Sequence, residues 1–290
     1  MFNTVLLATD LSKASDCVIN CLGGLRALGA ERVILAHALG IKHLESMKYA
    51  LARDAEPYLL AQKAALEGHG YEVSIEVAPG LPAFEINRLA NQIDPSLIVV
   101  GSHGRTMAKE AVFGSVAFEI AHLATKPLLV IRLKIVEGES GNRCEVVCSD
   151  LTRNVLYPTD FSDTAERAFA YVEKIVESGC KRVTLFHVQD RSRIGKHLES
   201  RLEEFNEIDS ERLARLKARL VERGATDVRV EIPYGSPISE VLKQAREGDY
   251  SLIVMGSQGR GFIAETFLGS VSHNVVRQAP IPVLLVPALR

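Results

Sequence analysis

Tryptophan is absent, aromatic residues make up 6% of the chain, and no apolar run approaches the roughly 20 residues that a membrane-spanning helix needs. Neither sign of charge is in excess: 34 Lys and Arg stand against 36 Asp and Glu, a net charge of -2. No broad basic surface is therefore available to draw the chain onto nucleic acid or anionic lipid, and any polyanion it binds must be gripped locally. Cysteines are also scarce. Five in 290 residues, an odd number, do not read as a secreted disulfide framework, and reduced thiols are the simpler expectation. Cys17 and Cys21 lie four apart, as do Cys144 and Cys148; structural zinc spacing is usually tighter, so no metal site is expected. The start, MFNTVLLATD, enters an apolar run without a cationic lead-in, and the expected location is cytoplasmic. What remains, 47% hydrophobic and 24% charged residues, is ordinary for globular domains.

What the chain does have is a repeat. VLLATDLSKASDCVI from Val5 answers VLYPTDFSDTAERAF from Val155, and RVILAHAL from Arg32 answers RVTLFHVQ from Arg182, at an offset of 150. Farther on, LIVVGSHGR from Leu97 answers LIVMGSQGR from Leu252, and FGSV from Phe113 answers LGSV from Leu268, at an offset of 155. Five extra residues must then lie between His187 and Gly235, in a charged segment that reads as a surface loop or helix. Its run RSRIGKHLESR is too mixed in sign for a nucleic-acid patch and reads as a solvated helix face. The polar, Gly-containing stretch between the copies suits a connector. The division expected is a first domain over 1–136, a linker over 137–152 and a second domain over 153–290.

Within each copy, short runs of Val, Ile and Leu alternate with longer amphipathic stretches, the pattern of βαβ units around a parallel sheet. Five strands and four helices are expected per copy. In the first, strands fall near Thr4 to Ala8, Arg32 to His37, Glu72 to Ala78, Leu97 to Val100 and Leu128 to Leu133. Ser12 and Ser162 are placed to cap the helix after the first strand.

The chemistry concentrates after the fourth strand. Gly101 and Gly104, then nine residues, then Gly114 and Ser115 are repeated at the same spacing by Gly256, Gly259, Gly269 and Ser270. Glycines permit close approach of backbone to phosphate oxygens, and the helices opening at Ser115 and Ser270, with Val116 and Val271 next, present unpaired N–H groups and a positive dipole end. Neither loop carries the Gly-Lys-[ST] of a P-loop. Arg105 and Arg260 stand where they could reach terminal phosphates.

These residues, with the Thr-Asp after the first strand, the histidine closing the second and the proline before the fifth (Pro127, Pro282), make the chain resemble the universal stress protein family in its nucleotide-binding branch, over both halves. The resemblance implies an α/β fold of two tandem Rossmann-like domains, each a five-stranded parallel sheet of order 3-2-1-4-5 with helices on both faces. It places a ligand at the carboxyl ends of strands one and four. It also implies that Asp10 and Asp160, behind Thr9 and Thr159, meet the adenosine, and that Ala38 and Val188 offer backbone groups to the adenine edge. The copies differ at Ala8 against Pro158, Val100 against Met255 and His103 against Gln258, so equal affinity is not expected. His37 and His187 read as packing groups at the sheet edge.

The leading expectation is a regulatory module of the stress response that binds ATP, ADP or AMP, with Mg²⁺ accompanying ATP, and acts on a protein partner. One rival is a slow ATPase using His103, Glu110 or Glu265. Another is a scaffold in which one copy has no working site. The family resemblance also implies pairing of the two domains through their fifth strands, PLLVIRL and PVLLVPA, and a further homodimer. If one site is filled, the second is expected.

Overall fold

Val5, Leu6 and Leu7, Ile98 and Val99, and Leu128 to Val130 are each at most 2% exposed. Runs apolar at every position, not at alternate ones, can bury both faces only in a parallel sheet covered by helices on each side. The computed structural model describes residues 1–40, 45–103, 113–138, 141–146, 150–192, 194, 201–260 and 268–288, with the backbone alone at 45, 46, 48, 134–138 and 141–146. The chain divides into two units, Met1–Ser149 and Asp150–Leu289.

In the first unit the strands are β1 (Thr4–Thr9), β2 (Arg32–Ala38), β3 (Glu72–Ala78), β4 (Leu97–Gly101) and β5 (Leu128–Ile131). They pair in parallel in the order β3-β2-β1-β4-β5, with Thr4 opposite Arg32, Val5 opposite Leu97 and Ile98 opposite Leu128. The helices are α1 (Lys13–Cys21), α2 (Glu45–Gly68), α3 (Pro82–Ile93) and α4 (Ser115–Leu123), and a 3-10 segment over Leu22–Leu28 extends α1. The stretch after β5 forms a two-stranded antiparallel hairpin, β6 (Leu133–Gly138) and β7 (Gly141–Val146).

The second unit repeats the plan. Strands β8 (Val155–Pro158), β9 (Arg182–Phe186), β11 (Asp227–Glu231), β13 (Leu252–Gly256) and β14 (Val283–Val286) pair in parallel in the order β11-β9-β8-β13-β14. Two-residue strands β10 (Gln189–Asp190) and β12 (Tyr234–Gly235) pair beside them. Its helices are α5 (Asp163–Glu177), α6 (Leu202–Glu222), α7 (Pro237–Glu247) and α8 (Ser270–Gln278). Each unit thus has the 3-2-1-4-5 order.

One cysteine expectation is corrected. Cys21, buried at the end of α1, is disulfide-bonded, while the buried Cys180 is a free thiol. Its engagement removes it from any thiolate metal site. The side chains of Cys144 and Cys148 lie outside the described residues.

Candidate functional site

The sequence Thr-Asp-x-Ser after the first strand folds into the same tight turn in both units. The Thr9 and Thr159 hydroxyls accept hydrogen bonds from the N–H groups of Leu11 and Phe161, each 3.1 Å. The Asp10 and Asp160 carboxylates accept from the Ser12 and Ser162 N–H groups, also 3.1 Å. Those serines then cap α1 and α5 as expected, accepting from Ser15 N and Ala165 N at 3.3 Å. The turn forces Leu11 and Phe161 into left-handed backbone, φ 63° and 58°, a conformation unfavourable for bulky residues and sustained here by the surrounding hydrogen bonds. The strands' closing histidines are buried, and Nδ1 of each donates to a threonine carbonyl, His37 to Thr9 at 2.9 Å and His187 to Thr159 at 2.7 Å. They pin the ends of neighbouring strands together, as a packing role requires.

The glycines divide by task. None of the described ones in the motif, Gly101, Gly114, Gly256, Gly259 and Gly269, has a positive φ. At Gly256 a Cβ would meet the Thr164 backbone at 2.9 Å, and at Gly101 it would meet Val18 Cγ2 at 2.9 Å. The first glycine of each loop therefore permits close approach of α5 or α1 to the strand end. At Gly259 a Cβ would fall 2.5 Å from Asp160 Oδ2, and the next residue, Arg260, donates its N–H to the same oxygen at 2.8 Å. Asp160 thus ties the turn after β8 to the loop after β13. Gly104, Arg105, Glu110 and Glu265 lie outside the described residues.

Gly114 and Gly269 are extended N-caps without a capping side chain. Their amides donate to Ser102 and Ser257 carbonyls at 2.9 and 2.8 Å, and regular helix bonding begins with Phe118 and His273. The first-turn N–H groups of each helix, among them those of Ser115, Val116, Ser270 and Val271, are left facing outward, the arrangement that receives anions at helix N-termini.

In the second unit these features border one cavity of about 480 Å³, within the range of roughly 300–1,000 Å³ typical of small-molecule sites. Pro158, Thr159, Asp160, Val188, Met255 and Gly256 line it, and so do Gln258, Gly259, Arg260, Gly269, Ser270 and Val271. Every candidate assigned to the second copy is therefore brought together. The amides of His187 and Gln189 donate away from the cleft, to Glu231 and Pro233. By strand alternation the main chain of Val188 between them faces the cavity. In the first unit the Leu39 amide likewise donates to Ala78, which turns Ala38 the other way.

Sequence reasoning missed the wall that α6 supplies. Phe205, Ile208, Asp209 and Arg212 line the cavity, and so does Ile194 from the run read as a solvated face. The helix-closing glycines Gly70 and Gly224, both at positive φ, set the correspondence between α2 and α6. Counting back from them, Tyr58 stands for Arg212, Ala55 for Asp209 and Gln62 for Leu216. Asp209 Oδ2 faces His187 Nε2 and Gln189 Nε2, each at 3.3 Å. Ala55 offers His37 nothing equivalent. Conversely, buried Gln62 accepts from the Thr9 hydroxyl at 2.8 Å and donates to Asp16 at 2.7 Å, drawing α2 onto the end of β1. Asp10 Oδ1 also accepts from the Ser12 and Ser15 hydroxyls at 2.5 and 2.7 Å, whereas Ala165 replaces Ser15 in the second unit.

Val100 is buried at the end of β4, and Ala8 lies in β1. His103 Nδ1 lies 2.9 Å from the Ser102 hydroxyl, which itself accepts from Leu133 N. Burial, and then the positive charge of Arg132, hold His103 below the ordinary imidazole range. Among the described residues no helix is long and apolar enough to cross a membrane, and no group of three His, Cys, Asp or Glu is placed to hold a metal.

Comparison with known proteins adds to this geometry. The model of the Universal stress protein family matches residues 1–132 and 152–287. A universal stress protein of Methanocaldococcus jannaschii is 32% identical over 156 residues, 48% of this chain and 96% of the relative. Another, from Bacillus subtilis, is 40% identical over 148 residues, 46% of this chain and all of the relative. The crystal structure of a universal stress protein from Archaeoglobus fulgidus covers 99% of both chains at 25% identity, with a TM-score of 0.73.

Proposed function

From the premise that this chain belongs to the universal stress protein family, we propose that its second domain binds an adenine nucleotide (ATP, ADP or AMP) and that binding, not turnover, is its regulatory act. The observation that carries this reading is the convergence on one cavity of an outward-facing helix N-terminus at Ser270, the Asp160 carboxylate and the free main chain of Val188. The helix end suits phosphate oxygens. A carboxylate accepts from ribose hydroxyls or the adenine amino group, and main-chain groups pair with the adenine edge. When ATP is bound, Mg²⁺ would supply charge neutralisation along the phosphate chain.

The first domain offers a poorer home for the same ligand in our reading. Gln62 occupies the Thr9 hydroxyl, and Asp10 Oδ1 is taken up by the Ser12 and Ser15 hydroxyls where Asp160 Oδ1 accepts from the Ser162 N–H. The expected result is about one adenine nucleotide per chain when the purified protein is denatured and the released ligand is weighed by mass spectrometry. Asp160→Ala should lower affinity by about 10- to 100-fold, the range for losing a hydrogen bond to a charged group. Release of none, together with no heat on titrating ATP, ADP or AMP, would remove the proposal.

A further inference from the structure

Resting on the nucleotide reading, a second question is what the arginines at the cavity rim select. Phe161, in the left-handed turn, has its ring 4.6 Å from that of His187, which lines the cavity. Two guanidinium groups meet that one ring. Arg260, next after Gly259 in the loop, sits 5.7 Å from the ring centroid, and Arg212, from α6, sits 5.2 Å from it. Both line the cavity.

Among the described residues neither guanidinium has a close carboxylate partner, although Asp160, Asp190 and Asp209 line the same cavity. Among the described residues Arg212 has one ion pair, with Asp209 Oδ1 at 3.8 Å, and that residue's other oxygen is turned to His187 and Gln189. Arg260 has no ion pair among the described residues. At the far end of α6 the arginines are matched more closely: Arg219 meets Glu166 at 2.6 Å and Glu173 at 2.9 Å, and Arg223 meets Glu177 at 2.6 Å, while the exposed Arg215 lies 3.8 Å from Glu211. Two like charges gathered around one ring make a place where an anion is favoured, more so when it displaces the water that screens them. Planar guanidinium forks bind phosphate oxygens in pairs. The first copy lacks the arrangement, with Leu11 for Phe161 and exposed Tyr58 for Arg212.

We infer that Arg212 and Arg260 form a clamp, seated on Phe161, that holds the distal phosphates and makes the second domain selective for adenosine triphosphate over adenosine monophosphate. Arg260 is the loop's own cation. Arg212 is the added one, delivered by a helix outside the glycine motif, and it determines the phosphate count.

Calorimetric titration of the full chain with ATP and with AMP tests the clamp. The parent should bind ATP the more tightly. Arg212→Ala should weaken ATP by about tenfold and AMP by less than about twofold, and Arg212→Lys should fall between. Arg215→Ala, which removes an exposed charge from the same helix, should change neither. ATP binding by Arg212→Ala should also depend less on salt. A urea midpoint close to the parent's establishes that the variant is folded. Equal losses for ATP and AMP, or no loss for either, would overturn the clamp while leaving the nucleotide reading intact. Failure of the parent to bind any adenine nucleotide would instead strike the reading on which it rests.

Discussion

At the scale of single residues, the two copies reuse one turn and then assign its partners differently. Thr9 and Thr159 make the same bond to the residue two ahead, yet Thr9 also donates to Gln62 while the position matching Gln62 is Leu216. A buried hydroxyl or carboxamide without a partner is costly, so each copy must satisfy its threonine with partners of its own. His103 shows the same divergence, standing where Gln258 does. Because burial and Arg132 depress its pKa in the folded state, the unfolded chain takes up a proton more readily. Stability from this group is then complete above the unfolded value of about 6.5 and falls as pH is lowered through it toward the folded value. His103→Gln, which imports the second copy's residue, should flatten that decline. Thermal melts of parent and variant at pH 7.5 and pH 5 would measure it; parallel losses on acidification would refute the assignment.

At the scale of elements, α6 does two jobs along its length. Its C-terminal half is fastened to α5 by Arg219 and Arg223, with Arg219 also 4.6 Å over the Phe169 ring. Its N-terminal half borders the cavity, and its polar ties to the sheet side are those of Asp209 to His187 and Gln189. Removing one partner of a half-buried pair strands the other. Asp209→Ala should therefore cost about 2 kcal/mol in urea unfolding, and hydrogen exchange should locate the loosening in Leu202 to Leu213, not in the Arg219 half. Uniform destabilisation along the helix would count against this division. None of it was legible beforehand: charges at helical spacing mark a helix but not which of them turn toward a cleft. The glycine motif was legible because its spacing is local, yet the reason for its first glycine was not, since Thr164 approaches Gly256 from another element.

At the scale of the whole molecule, one chain carries two copies of a fold and, on our reading, one well-formed nucleotide site. Every residue bordering the cavity lies between Pro158 and Ser272, inside the second unit. A ligand that binds only the folded state slows opening of what it touches. At a nucleotide concentration 100 times Kd, amide exchange that requires opening of the second unit should slow by about 100-fold. Amides of β1, β4 and α4 should exchange as before; equal protection of both units would mean two working sites. The strands of each half, the capping serines and the loop at each carboxyl edge were determined by the sequence alone, because parallel strands buried on both faces leave an unbroken apolar signature and short-range caps depend on neighbours in the chain, whereas the strand order was implied only by the family resemblance and is set by the tertiary pairing. Tertiary structure alone decided that Asp160 bonds across to Arg260, that Arg212 from a distant helix shares a ring with it, and that Gln62 occupies the matching threonine. Those contacts join residues 46 or more positions apart, and no local pattern of residues specifies them.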